Sequence, residues 1–337
     1  MAKLTQAQIK PSHTRLAAAQ AGSKISSLEI FGLLVFLFLP LTIPAIWPGK
    51  VQQWLPPQLQ SYFRPATAEH THESTSTVET LDSIIEACKT HKYTTEIISL
   101  SPLVIYINNF LSPAETDALI EASSADFEDS FISRSTGGLE KVPGRTSQSA
   151  PLDLSAPLTQ CILARARTFM GSMLQPHEPF STPQLVRYFP SQRYDLHTDF
   201  WPQHQVMVDG SDRLFNRPAS FFAFLRDNCT GGETYFPLVD VLDRDGERGG
   251  RLEEGFGGKV TRGEMDGEKK GVKFRPIKGN AVFWVNLDEE GVGDRRVVHA
   301  GLPVGEGEKI GMNIWPRKFY GEEEERERKG WSGKWKD

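Results

Sequence analysis

His299-Ala-Gly-Leu-Pro-Val-Gly-Glu-Gly-Glu-Lys309-Ile-Gly-Met-Asn313-Ile-Trp315 is the stretch whose reading decides the fold of this 337-residue chain. Past Lys309, Ile310, Met312 and Ile314 alternate with other residues at the period of a strand, which puts Lys309, Asn313 and Trp315 on one face. A lysine pointing inward from such a strand needs an anion, because an unpaired buried charge is costly. His299 stands ten residues before it, and far upstream His197-Thr-Asp199 offers a second histidine and a carboxylate. Two histidines and one carboxylate can occupy one face of an Fe(II) ion and leave positions open for substrates. Taken singly these residues say little. A chain with eight histidines yields a His-x-Asp by chance, and a lone lysine at a strand start is usually a surface residue. Their order and spacing carry the reading.

Working outward, Ser112-Pro113-Ala-Glu115 has the form of a capping box with proline at the first helical position, which predicts a helix to about residue 123. A second helix is expected over 158–174. Short strands bounded by turn residues are then expected at 184–188, 220–226, 234–236, 273–275, 281–286, 297–300 and 310–315. Helices first and many short strands after describe an α+β protein with a double-stranded β-helix (jelly roll) core and flanking N-terminal helices. Such a core lays distant strands side by side, so His299 can reach His197 and Asp199. Two hydrophilic insertions, 201–218 and 240–271, read as surface loops, and long loops beside a site can act as lids.

Residues 1–29 are polar, with Lys3, Lys10, Arg15 and Lys24 opposed by Glu29 alone, and are expected to form a cytoplasmic N-terminal segment. Residues 30–47 (IFGLLVFLFLPLTIPAIW) carry no charge over 18 positions, the lower limit for crossing a bilayer, so one transmembrane helix is expected to precede the core. Pro40 and Pro44 are better tolerated there than in a soluble helix. The basic flank orients the remaining chain to the far side of the membrane, and no small-x-small site follows that would mark a cleaved signal. Residues 48–101 are rich in Pro, Gln, Ser and Thr and read as a linker or stalk with a weak helical patch at 84–89; His70 and His72 read as solvated within it. The globular body is expected over 102–320 and a charged tail over 321–337. A net charge of −5 suggests neither a nucleic-acid partner nor a polybasic membrane patch, and no nucleic-acid partner is expected. Cys88, Cys161 and Cys229 allow at most one intramolecular pair, whose members the sequence leaves open, and no two are close enough in the chain for a metal motif. Asn228-Cys-Thr230 is the one glycosylation acceptor sequence.

In order along the chain, several motifs together resemble the prolyl 4-hydroxylase branch of the Fe(II)/2-oxoglutarate-dependent dioxygenases. They are Tyr188-x5-Tyr194-x2-His197-x-Asp199, Gly231-Gly-Glu-Thr-Tyr-Phe-Pro237, Pro276-Ile-Lys-Gly-Asn-Ala-Val-Phe-Trp284 and His299-x9-Lys309-x5-Trp315, with Asn109-Phe-Leu-Ser112 and Arg145-Thr-Ser147 upstream. The resemblance covers about residues 102–320. It implies that His197, Asp199 and His299 hold Fe(II) and that Lys309 pairs with the distal carboxylate of 2-oxoglutarate. It further implies that Tyr188 and Asn313 help to bind that co-substrate, and that Tyr194 and Trp315 line the substrate cleft. The implied reaction consumes O2 and 2-oxoglutarate, releases succinate and CO2, and leaves 4-hydroxyproline in a proline-containing peptide or protein, with ascorbate as an accessory reductant. With the apolar run, it implies a single-pass type II protein of the endoplasmic reticulum membrane whose catalytic domain is lumenal.

Three positions depart from the family pattern. The acidic residue often found before the first metal strand falls at Ser181 or Thr182, the histidine-like position after the tryptophan is Arg317, and Ser191 replaces a glycine between the two tyrosines. These leave the iron chemistry intact and weaken the carry-over of substrate. The same chemistry on lysine, another side chain or a small molecule therefore stays open. So does an inactive membrane-tethered binding module, although intact His197, Asp199, His299 and Lys309 speak against it.

Overall fold

The computed structural model describes residues 80–133, 139–241, 256–265 and 267–321; the apolar run 30–47, His70, His72 and the tail from residue 322 lie outside them. No helix among the described residues is long and apolar enough to cross a membrane.

Three α-helices pack on one face of the main sheet. Helix α1 (Leu81–Cys88) opens on Thr80, whose side chain accepts from the Ser83 N–H. Helix α2 (Pro113–Ala122) opens on the expected capping box, with Ser112 and Glu115 each accepting from the other's backbone N–H. Helix α3 (Pro157–Met170) starts on proline and stops at Gly171, whose φ of +56° is costly for residues with a Cβ. A disulfide joins Cys88 of α1 to Cys161 of α3. Beside it Arg165 and Glu115 form a buried ion pair at 2.6 Å, and Arg165 also donates to the carbonyls of Phe110 and Cys88. Residues 81–100, expected within the linker, thus belong to the folded body, and Thr94–Leu100 forms an edge strand. The helix is too short, and the edge strand too exposed, for either apolar pattern to stand out in the sequence.

The main sheet has eight antiparallel strands in the order Thr94–Leu100, Leu103–Asn108, Ala281–Val285, Ala219–Gly231, Val304–Ile314, Gln184–Tyr188, Gln148–Pro151, Glu128–Asp129. A second, five-stranded sheet runs Val260–Met265, Glu268–Phe274, Thr234–Phe236, His299–Gly301, Tyr194–His197. Together they give the jelly-roll-like α+β architecture. Strand Ala219–Gly231 shows why the central strands read as continuous apolar runs. Phe221, Ala223 and Leu225 pack in the core shared with the helices, along with Phe283, Ile310 and Met312. Phe222 and Phe224 enter a second core with Phe236, Phe274 and Trp284. A strand buried on both faces shows no polar alternation. Emptying one such position, as in Phe221→Ala, costs about 3–5 kcal/mol.

Both supposed loops contain strands. Val260–Met265 and Glu268–Phe274 form a hairpin in the five-stranded sheet, with Val260 and Val272 buried. Charged residues at alternate positions and three glycines hid that pattern. In 201–218, Gln205–Val206 and Leu214–Asn216 form a small sheet with Lys318–Tyr320.

Candidate active site

The end of strand Tyr194–His197 lies against strand His299–Gly301 with His197 directly opposite His299. Asp199 is just beyond its strand rather than on it, yet it reaches the same point. Its Oδ1 lies 3.8 Å from His197 Nε2 and 3.9 Å from His299 Nε2, and the three ligand atoms lie within 4.8 Å of one another. Each histidine turns its other nitrogen to a backbone carbonyl, His197 Nδ1 to Asp195 at 2.8 Å and His299 Nδ1 to Val297 at 3.0 Å. A carbonyl can only accept, so both Nδ1 atoms carry a proton and both Nε2 atoms are turned to Asp199. Burial pushes the His197 pKa down, with the neighbouring His299 adding to it, so the ring stays neutral. Burial works to raise the Asp199 pKa, but the positive charge that His299, His197 and Arg217 can place beside it outweighs burial and brings it down to about 2. Trp315 Nε1 donates to Asp199 Oδ2 at 2.9 Å and fixes the oxygen turned away from the histidines. Tyr194 stacks on His197 at 3.6 Å, while Phe236 and Trp284 flank His299 at 5.0 and 4.7 Å. Two imidazoles and a carboxylate, each held by its outer atom with the inner atom turned to one point, fit a divalent iron.

The triad, Tyr194 and Trp284 line a cavity of about 450 Å3 that also takes in Tyr188, Asn313, Trp315 and Lys309. Every cleft and co-substrate residue expected from the sequence therefore meets in one chamber, as the alternation along 309–315 requires. Lys309 is 1% exposed, and its ammonium lies among the rings of Tyr188, Phe222 and Phe224. Its one hydrogen bond is to the Gly232 carbonyl at 2.6 Å, and it makes no ion pair among the described residues. Gly232 has φ +71°, and a Cβ there would come within 3.3 Å of the Lys309 side chain. The Gly231-Gly232 turn thus makes room for the lysine and supplies its acceptor. Burial pushes the Lys309 pKa down to about 8. Burial raises that of Tyr188 against the pull of Arg145 and a Ser147 hydrogen bond, so its phenol keeps the proton it can donate. Thr234 Oγ1 and Trp284 Nε1, both in the cavity wall, are buried without a hydrogen-bond partner among the described residues. An ammonium without a counter-ion and an unused hydroxyl at the inner wall fit a dicarboxylate such as 2-oxoglutarate.

Thr234, Trp284, Arg145 and Arg217 are among the lining residues for which the sequence suggested no role. Thr234, Trp284 and Arg145 stand in motifs that the sequence did single out, whereas Arg217 closes the segment read as a loop. Arg217 donates to the Asp199 carbonyl at 3.2 Å and lies over Trp315 at 3.8 Å and Trp201 at 4.4 Å. Asn228 falls elsewhere, exposed near the end of strand Ala219–Gly231 and opposite Glu308. Cys229 is the free cysteine.

The model of the 2OG-Fe(II) oxygenase superfamily matches residues 183–317, which include the metal triad and Lys309. Prolyl 4-hydroxylase 1 of Arabidopsis thaliana is 31% identical over 227 residues, covering 66% of this chain and 71% of that protein. Prolyl 4-hydroxylase 2 of the same plant is 27% identical over 245 residues, 72% of this chain and 74% of that protein. Among solved structures, the 2OG complex of viral collagen prolyl hydroxylase from Paramecium Bursaria Chlorella virus-1 aligns with a TM-score of 0.44 at 25% identity, over 64% of this chain and 95% of that one. The metal triad, the enclosed lysine, the family match and the plant relatives agree: the chain belongs to the 2OG-Fe(II) oxygenase superfamily and is a dioxygenase related to the prolyl 4-hydroxylases.

Proposed function

We propose that this protein hydroxylates peptidyl proline at C4, converting 2-oxoglutarate and O2 to succinate and CO2, in the lumen of the endoplasmic reticulum. The observation that carries the reaction is the shared chamber of the triad and Lys309, one able to hold Fe(II) and the other a distal carboxylate. Iron, 2-oxoglutarate and O2 together supply the oxidation. The chain's own residues do the positioning. Lys309, Thr234 and Tyr188 would orient the dicarboxylate with Asn313 in the same wall, Trp315 locks Asp199, and Phe222 and Trp284 wall the chamber off from water. Tyr194 and Trp315 face the substrate side. The resemblance to named prolyl 4-hydroxylases supports proline as target, and ascorbate is the expected reductant for uncoupled turnover. The apolar run 30–47 and the Cys88–Cys161 disulfide both favour an oxidising, membrane-bounded compartment.

Purified full-length protein should form succinate slowly from 2-oxoglutarate without peptide, and His299→Ala should abolish it. Equal succinate from wild type and variant would sink the assignment. With a proline-rich peptide library, the gain of one oxygen should map to proline. Products on lysine alone, or on no peptide, would overturn the substrate.

A further inference from the structure

Fixed charge in the cavity wall comes from Arg145, Arg217, Lys309 and Asp199. A divalent metal, a dicarboxylate, Asp199 and Lys309 cancel one another, which leaves two guanidinium groups facing the cleft without compensation. Neither makes an ion pair among the described residues. Arg145 donates to the Phe131 carbonyl and to Gln184 Oε1. Arg217 is spread over two indoles, and its Nε is buried with no acceptor among the described residues.

A third cation stands close by. Arg317 donates to Ser181 Oγ at 2.9 Å, reaches Met207 Sδ at 3.4 Å and lies over the Phe215 ring. Phe215 packs edge-on against Trp201 at 5.8 Å, the indole over which Arg217 lies, so the two guanidinium groups flank one aromatic pair. Arg317 is close enough to help lower the pKa of Arg217. Ser181, one of the two candidates for the displaced acidic position, is in contact with Arg317, another departure from the family pattern. An acidic residue at 181 would neutralise a cation at 317; a serine hydroxyl does not. The carboxylate that most attracts Arg317, Asp209, is exposed and 3.8 Å from Arg213.

Resting on the peptidyl-proline reading, we propose that Arg217 and Arg317 together accept a carboxylate of the substrate, so that the enzyme selects prolines flanked by aspartate or glutamate. Arg217 packs on Trp315, whose indole holds Asp199, so its guanidinium is one side chain away from the metal position. The carbon to be hydroxylated must lie beside that metal. A neighbouring peptide residue is displaced by about 3.3–3.6 Å per position, which brings a side chain one or two residues away within reach. The planar fork of arginine suits bidentate contact with a carboxylate, and a desolvated guanidinium stacked on indole gains more from it than a solvated lysine would.

The test uses full-length enzyme and fluorescent proline-rich peptides of equal length that carry Glu, Gln or Lys beside each proline. Binding is read by anisotropy without turnover, and kcat and KM separately by the gain of one oxygen. The expected order of affinity is Glu, then Gln, then Lys. Glu should be favoured over Gln by roughly tenfold, the effect should lie in KM, and the gap should narrow at high salt. Arg317→Gln should narrow the Glu–Lys gap and Arg317→Glu should collapse or reverse it, with thermal melting confirming that both variants fold. Glu, Gln and Lys peptides bound within twofold of one another, or an order unchanged in Arg317→Glu, would overturn the proposal. Tight binding of Glu peptides without oxygen gain on any proline would support the acidic site and refute proline as the target.

Discussion

Lys309 carries two opposed demands. Its burial makes the ammonium costly, yet its place at the inner wall requires that charge. With its pKa pushed down to about 8, the cationic fraction in the free protein falls as pH rises through that value. The cation is the form that pairs with a carboxylate, so the KM for 2-oxoglutarate should climb above about pH 8, and initial rates across pH 6–10 would show it. Lys309→Ala leaves a buried carboxylate of the co-substrate unpaired, and KM should rise by the equivalent of about 2–5 kcal/mol. Thr234→Val removes one hydroxyl and should weaken co-substrate binding by about 1 kcal/mol, measured by titration calorimetry. The metal triad and Lys309 were legible in the sequence because residue type and spacing define them. Thr234 and Arg217 were not, since their value lies in having a buried polar atom without an internal partner, and no pattern of letters records that.

At the scale of elements, the turn between strands Gln184–Tyr188 and Tyr194–His197 holds Ser191 at φ +69°. A residue with a Cβ is strained there, which gives a physical reason for glycine at that position in the family. Ser191→Gly should raise the melting temperature, by up to about 1 kcal/mol of stability, and a melt lower than wild type would contradict this reading. The disulfide between α1 and α3 closes a separation of 73 residues. Cys161→Ser should cost about 2–5 kcal/mol in denaturant unfolding without altering metal affinity. Helix α2 was legible to within a residue because its capping box is a local signal. The hairpin 260–274 was not, because charged residues and glycines separate its buried Val260, Val272 and Phe274, and the strand that pairs with it, Thr234–Phe236, is distant in the chain.

For the whole molecule, the division into polar leader, apolar run, stalk and body is a sequence reading whose first parts lie outside the described residues. If the body is lumenal, it should resist added protease in intact microsomes and lose that protection in detergent. Digestion without detergent would refute it. Exposed Asn228 offers a second readout, a mass shift on treatment with endoglycosidase.

The pairing of His197 opposite His299, followed across to Lys309, also determines where the chain can change length. Residues 299–309 pass from the five-stranded sheet into the eight-stranded one, and both ends must point into the same chamber. Because strand side chains alternate, inserting or deleting one residue here would turn Lys309, Asn313 and Trp315 outward together. Segment 242–255 bears no such parity, since the hairpin that follows it contributes none of the residues lining the chamber. Insertions of any length should leave succinate formation intact there, and a single added glycine between His299 and Lys309 should eliminate it.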